Sequence, residues 1–298
     1  MGAQLRIVRR RIRSVQSTMK ITRAMELIAS SRIVKAQQRV EASRPYAVQL
    51  TQAMEDVARN AAGALGHPLL EDRPDPARAG VLIVTSDRGL AGAYNANVLK
   101  IGEELLRSVR ARGLEPVLYV IGKKGVGYFR FRGVAARATW QGFSEVPPYE
   151  KAEEIGRALM QDFADAQIDE LHCAYTDFRS AFTLRATAKR FLPIAPEEVG
   201  APTTLGLVPP EYLFEPDPEQ ILDHLLPQYL ITKVYAALLE SAASENAARR
   251  RAMKAATDNA EDLIKILTRQ ANRARQDEIT TEIMEIVGGA EALAAEKG

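Results

Sequence analysis

The chain has 298 residues, 46% hydrophobic and 26% charged, with one cysteine, Cys173, and three widely spaced histidines, His67, His172 and His224. That length and apolar content suit one large or two ordinary water-soluble domains, while the lone cysteine excludes an internal disulfide framework and the histidine spacing offers no Cys/His metal cluster. The net charge is only +2, yet residues 1–44 hold eleven Arg and Lys against two Glu, a local excess of +9 that leaves −7 for the remainder. Such asymmetry marks either a solvated face or a basic segment turned towards an acidic partner, nucleic acid or an anionic membrane.

From Gln4 to about Asn60 glycine and proline are nearly absent, and Leu5, Val8, Ile12, Val15, Met19 and Thr22 recur at alternating three- and four-residue spacing. That is a heptad seam. It continues through Ala29, Ile33, Ala36, Val40, Ala47, Leu50, Met54 and Val57, with Glu26 and Ser43 as misfits. A helix of this span is a rod of roughly 85 Å, with a kink expected near Ser43 where Pro45 removes a donor. The helical pattern runs on without a break, so the Arg-rich start is read as a mature N-terminus rather than a transit segment, and no hydrophobic signal region precedes it.

"GALGHPLLEDRPDPARAG" (63–80) breaks this helix. "AGVLIVT" and "EPVLYVI" are short β-branched runs, each followed by a helical stretch; "IDELHCAYTDF" gives a third strand after a helix near Lys151–Asp165, and "FTLRATAKRFL" a fourth. Alternating strands and helices predict an open α/β sheet, parallel at its start. Prolines between Pro193 and Pro218 suggest a linker or edge segment.

From about Asp217 the chain turns helical for some 75 residues, roughly 110 Å if continuous. Its expected seam is Ala237, Ser241, Ser244, Ala248, Ala252, Ala255 and Asn259, followed by Leu263 and Ile266. Small seam residues allow two helices to approach closely. The closing "ITTEIMEIVGGAEAL" places Ile279, Ile283, Ile286, Val287, Ala290 and Leu293 on one face, interrupted by Gly288 and Gly289, which either stay within the helix or end it. The fold class read from these patterns is α/β: a long antiparallel coiled coil of N- and C-terminal helices around a central Rossmann-like open-sheet domain. The expected divisions are 1–62, 78–210 and 217–298. The second helix is the longer, so its apolar tip projects beyond the first and requires a partner chain.

Catalytic signals are few. "TSDRGLAGAYN" carries only G-x-x-G, and "IGKKGVGYF" matches neither the P-loop order nor G-x-G-x-x-G, so both read as structural turns. There is no G-x-S-x-G elbow and no H-E-x-x-H; Asp87, Asp169 and Asp177 are ordinary strand-end carboxylates. No apolar run approaches the ~20 residues of a membrane span, the longest candidate being interrupted by Pro227 and Lys233. The basic helix has no aromatic residue before Tyr46 for base stacking, and its narrow seam lacks the Trp or Phe anchors of a membrane-surface helix. On the residues alone, a small-molecule-binding α/β enzyme with coiled-coil arms and a nucleic-acid-binding arm stand beside a non-catalytic interaction protein.

Four long stretches decide between them by resemblance. "MKITRAMELIASSRIVKAQ", "TSDRGLAGAYNANV", "AMKAATDNAEDLIKIL" and "ARQDEITTEIMEIVGGAEAL" together resemble the γ subunit of F-type ATP synthases, in the same order and nearly end to end. The resemblance implies a non-catalytic central-stalk rotor that transmits torque between the membrane c-ring and the hexamer of α and β subunits, coupling proton flow to ATP synthesis. Its implied partners are α, β, ε and the c-ring, with no cofactor, no metal, no nucleic acid and no small-molecule substrate of its own. The implied location is peripheral to the plasma membrane on the cytoplasmic side. The family's coupling segment falls on Met19–Ile28, with Lys20, Arg23, Arg32 and Lys35 facing acidic loops of β and Met25 where the two helices meet. Arg249, Gln276, Thr280 and Glu282 are the matching C-terminal positions, and Lys254 lies on the shaft with Thr257, Asp258 and Asn259. Relatives with a regulatory cysteine pair differ from this chain, which has Cys173 alone, so thiol switching of that kind is not expected.

Overall fold

The computed structural model describes residues 2–60, 67–180, 183–194 and 218–295. The Gly- and Pro-poor start is one helix, α1 (Gly2–Asn60). Next come β1 (Arg78–Val84), α2 (Tyr94–Ala111), β2 (Glu115–Ile121), α3 (Lys123–Phe131), β3 (Ala138–Trp140), α4 (Tyr149–Ala164), β4 (Glu170–Phe178) and β5 (Leu184–Leu192). The last helix is α5 (Pro218–Ala295). Both long helices continue through an internal proline, Pro45 in α1 and Pro227 in α5. Gly288 and Gly289 lie inside α5, so the double glycine does not end the helix. Of the expected linker, residues 195–217 lie outside the described residues.

The chain divides into two compact units, one made of residues 29–249 and the other of residues 1–28 with 250–298. In the first, five strands form one sheet in the order β3-β2-β1-β4-β5. The first four are parallel and β5 returns antiparallel on β4. The four expected strands are all present; β3 was missed because three residues show neither an alternation nor an apolar run.

β1 is central, with Leu82 opposite Tyr119 on one side and Cys173 on the other. A strand covered on both faces should be apolar throughout, and every residue from Ala79 to Val84 is buried. Its side chains alternate between two cores. Val81 and Ile83 pack with Leu99, Leu106, Val109 and Phe129 of α2 and α3. Leu82 and Val84 belong instead with Ile155, Leu159 and Phe163 of α4, Leu50 and Met54 of α1, and Leu226, Leu230 and Val234 of α5. At about 1.5–3 kcal/mol per fully buried large apolar side chain, this second cluster fixes the inner ends of both long helices to the sheet. Close approach requires glycine at Gly156 of α4, where a Cβ would stand 2.7 Å from Ile231 Cγ1 of α5.

The other unit is a helix pair. On α1 the expected seam is observed: Leu5 and Thr22 are buried, Val8, Ile12, Val15 and Met19 are half-buried, and most intervening residues are exposed. On α5 the expected seam needs correction. The buried positions after Arg249 are Met253, Thr257, Ala260, Leu267 and Ala271, whereas Leu263 and Ile266 are 41% and 50% exposed and Ala255 and Asn259 are also exposed. The phase is one residue off because α5 is buried all round from Ser241 to Arg249. In that stretch every small residue looks like a seam residue, and no periodicity identifies the face that continues into the helix pair.

Candidate functional site

One hydrogen bond joins the two helices of the pair: Thr22 Oγ1 of α1 and Thr257 Oγ1 of α5 are 2.8 Å apart. Around it the structure collects several of the residues singled out in the sequence. Met19 and Met25 flank Thr22 and are half-buried, while Lys20 and Arg23 between them are exposed. On α5, Lys254 is exposed and pairs with Asp258 at 3.3 Å. Ile21, Leu27 and Ile28 are each more than half exposed, giving this stretch of α1 an outward apolar character beside its cations.

Gln276, Thr280 and Glu282 are exposed and lie elsewhere. Twenty-three residues separate Thr280 from Thr257, roughly 35 Å along a helix, so these positions do not join the Met25 region. The Thr280 hydroxyl donates to the Gln276 carbonyl at 2.9 Å. Around them Ile279, Ile283, Met284, Ile286 and Val287 are exposed to between 45% and 72%. An apolar helix face left in solvent marks an interaction site. The side chains of Ala290 and Leu293, expected on the same face, lie outside the described residues.

Arg249 differs from the other candidates. Its side chain is 5% exposed and belongs to the sheet-containing unit. Its Nη2 donates to Glu245 Oε1 at 2.6 Å and to the Gly89 carbonyl at 3.2 Å, and its Nη1 stands 3.3 Å from Glu145 Oε1. Burial pushes the Glu245 carboxyl up from its ordinary value, and the Arg249 charge opposes that shift. Arg249 therefore anchors α5 to the loop after β1 and to the segment before α4, a role the sequence did not disclose.

The carboxyl end of the parallel strands is where an open α/β sheet receives a ligand. Here it is filled by the chain itself. Asp87, just after β1, accepts hydrogen bonds from the backbone N–H groups of Lys123, Gly142 and Ser144 at 3.1, 2.8 and 2.9 Å, and its own N–H donates to Ser144 Oγ at 2.9 Å. Burial would raise the Asp87 pKa, but the bonds from Ser144, Gly142 and Lys123 prevail and hold it below the usual carboxylate value. One carboxylate thus ties together the loops after β1, β2 and β3.

The glycines of "IGKKGVG" serve the same packing. Gly122 has φ of +94°, and a Cβ there would lie 2.3 Å from the Thr85 carbonyl oxygen; one at Gly125 would lie 2.7 Å from Thr85 Oγ1. Thr85 Oγ1 instead accepts from the Gly125 N–H at 2.9 Å and donates to the Ile121 carbonyl at 2.7 Å. The donors a phosphate would need are already engaged. Among the described residues no cluster of three His, Cys, Asp or Glu could hold a metal ion, and no helix is long and apolar enough to cross a membrane. Cys173 is buried in β4, and burial pushes its thiol well above the ordinary value, which keeps it in the unreactive protonated form.

Glu145 was missed altogether. Its carboxylate meets Arg32 of α1 at 2.5 Å, Arg88 at 3.4 Å and Arg249 of α5 at 3.3 Å. A lone glutamate in a Pro-containing loop carries no local signal, because its three partners lie far away in sequence.

The family model described as ATP synthase matches residues 4–293. The chain is similar to proteins named ATP synthase gamma chain: 55% identical over 315 aligned positions to that of Mycolicibacterium smegmatis, with 100% of both chains covered. It is 56% identical to that of Acidothermus cellulolyticus, with 99% of each covered, and 53% identical to that of Thermobifida fusca, with 99% of this chain and 98% of the other covered. Among solved structures, a chain of the Euglena gracilis mitochondrial ATP synthase OSCP/F1/c-ring assembly superposes with a TM-score of 0.66 at 17% identity, covering 100% of this chain and 97% of that one. A chain of the Tetrahymena thermophila mitochondrial ATP synthase central stalk and c-ring structure gives 0.58 at 23% identity, covering 79% and 99%. At those identities the structural likeness speaks for the fold.

Proposed function

The chain belongs to the ATP synthase gamma-chain family, and from that membership we propose that it is the central-stalk rotor of an F-type ATP synthase, carrying torque between a membrane c-ring and a hexamer of α and β subunits. The reading makes it a non-catalytic subunit of an enzyme, held at the cytoplasmic face of the plasma membrane through its partners, ε among them. The observation that carries it is the pair of long helices with their seams buried against each other while the face Ile283, Ile286 and Val287 stays in solvent. Such a face suits a sleeve formed by other chains.

Further support comes from the sheet. Its crevice is closed by Asp87, Thr85 and Arg249 with hydrogen bonds to the chain itself, an arrangement suited to rigidity rather than turnover. Lys20 and Arg23 beside Met19 and Met25, and Gln276, Thr280 and Glu282 further along α5, are proposed as contact positions for α and β. The proposed divisions remain 1–62, 78–210 and 217–298, with the two helices as the shaft. Tagged chain recovered from native membranes is expected to bring down α and β in a complex that couples ATP hydrolysis to proton pumping. Recovery without them overturns the reading.

A further inference from the structure

Both long helices leave the sheet-containing unit at its boundary, α1 between Ile28 and Ala29 and α5 between Arg249 and Arg250. Arg32 lies one turn inside that boundary and Arg249 is the last residue within it. The two side chains converge on one carboxylate, Glu145: Arg32 Nη1 to Oε2 at 2.5 Å and Arg249 Nη1 to Oε1 at 3.3 Å. We propose that Glu145 is a torsional clamp, a positioning residue that locks the rotation of α1 and α5 to the sheet at the point where both helices leave it. This rests on the rotor reading given above.

Apolar packing is non-directional. At this level α5 presents the small residues Ala237, Ser241, Ser244 and Ala248 beside the larger Leu238 and Leu239, and Ser241 and Ser244 meet the Thr176 backbone only at 3.5 and 3.3 Å. The crevice beside them is lined by Arg32, Glu145, Ala36 and Leu239 among others. Small side chains interlock less than large ones and so resist turning of a helix about its own axis less. Ion pairs gain strength away from water, and turning either helix about its axis would carry its arginine away from the Glu145 carboxylate. Glu145 is 14% exposed and Arg249 5%.

The clamp also has a fixed base. Ser144, the residue before Glu145, donates its N–H to Asp87 Oδ2 at 2.9 Å and accepts from the Asp87 N–H at the same distance. Asp87 is bonded in turn to Lys123 and Gly142. A continuous polar path therefore runs from the sheet through Asp87 and Ser144 to Glu145, and then to both helices. Arg249 is braced from the other side by Glu245, whose side chain is 1% exposed.

The test uses the assembled complex purified with Glu145→Gln, Arg32→Gln and the conservative Arg32→Lys. At Glu145, Gln keeps the shape and removes the charge; at Arg32 it removes the charge with a shorter side chain, whereas Lys keeps the charge. Both Gln variants are expected to assemble with α and β, and to lose about tenfold in amide-exchange protection at residues 29–36 and 242–249, with β1 and β4 unchanged. ATP hydrolysis should persist while protons pumped per ATP fall, and Arg32→Lys should retain part of both coupling and protection. Gln variants that assemble with parental protection and coupling overturn the clamp. So does protection lost equally across β1 and β4 in all three variants, which marks a general folding defect. Failure of the parent chain itself to assemble with α and β overturns the rotor reading instead.

Discussion

Thr22 of α1 and Thr257 of α5 lie 2.8 Å apart, oxygen to oxygen, among the buried apolar residues Leu5, Met253, Ala260, Leu267 and Ala271 of the same helix pair. Each hydroxyl also reaches back to its own helix, Thr22 to the Met19 carbonyl at 3.0 Å and Thr257 to the Met253 carbonyl at 2.9 Å. Two protons serve three contacts, so one proton is shared between a carbonyl and the opposite hydroxyl. Thr22→Val or Thr257→Val is expected to cost about 0.5–1.5 kcal/mol, and the double variant no more than either single one, because two valines fill the place of two hydroxyls. Urea unfolding of the full chain measures this; strictly additive costs would show that the two residues do not interact.

Gly122 and Gly133 both have positive φ, +94° and +70°, but only Gly122 is crowded. Alanine at Gly133 has open space and should cost about 1 kcal/mol from backbone strain alone. Alanine at Gly122 adds a collision with the Thr85 carbonyl, and about 3–5 kcal/mol is expected from strain and overpacking together. Melting temperatures of the two variants rank them, and equal losses would contradict the close approach of α3 to β1.

Glu240 of α5 is held up to about 7 by burial first and by the neighbouring Asp177 second, against the opposing pull of Lys189 and the Phe178 N–H. Tyr175 of β4 is the other titratable group facing it. The folded state holds the Glu240 proton more tightly than the unfolded chain, where the value is 4.5. Its stabilising contribution is therefore complete below pH 4.5 and is lost as pH rises to about 7. Glu240→Gln should flatten that decline and leave the chain about 1–3 kcal/mol more stable than the parent at pH 8. Unfolding free energies measured between about pH 4 and pH 8, a range that spans the window, check the sign; an unchanged slope would overturn it.

Ile286 is 72% exposed on α5 and Ile283 55%. Replacing either with Ser should change the stability of the free chain by no more than about 0.5 kcal/mol. If the apolar face is held by α and β, the same changes should weaken co-purification with them and lower coupled ATP synthesis. Parental assembly and synthesis in the double variant would show that this face is not an interface.

The heptad positions of α1 were legible because that helix buries one narrow stripe, and Leu5, Val8, Ile12, Val15, Met19 and Thr22 are the positions the structure buries or half-buries. On α5 the apolar periodicity runs one residue out of phase with burial. Its stretch from Ser241 to Arg249 is covered on every side, so periodicity there lost its meaning and its phase did not carry forward to Met253 and Thr257. β1, β2 and β4 were legible as apolar runs, since a parallel strand buried on both faces needs little else. β3 was too short to register.

The candidate site divides in the same way. Local sequence, joined to the family resemblance, singled out Met19 to Met25, Lys254 and the tip around Thr280 and Glu282 as candidates. By itself the sequence determined the two long helices, the α/β domain between them, the basic character of α1 and the absence of familiar catalytic motifs, because each depends on residue type or on spacings shorter than a few helical turns. Only the tertiary structure decided that Arg249 points inward, that Asp87 closes the sheet edge and that Glu145 joins Arg32 to Arg249. Those facts depend on polar groups 36 to 160 residues apart meeting in partly buried places, and no short-range pattern encodes such a meeting.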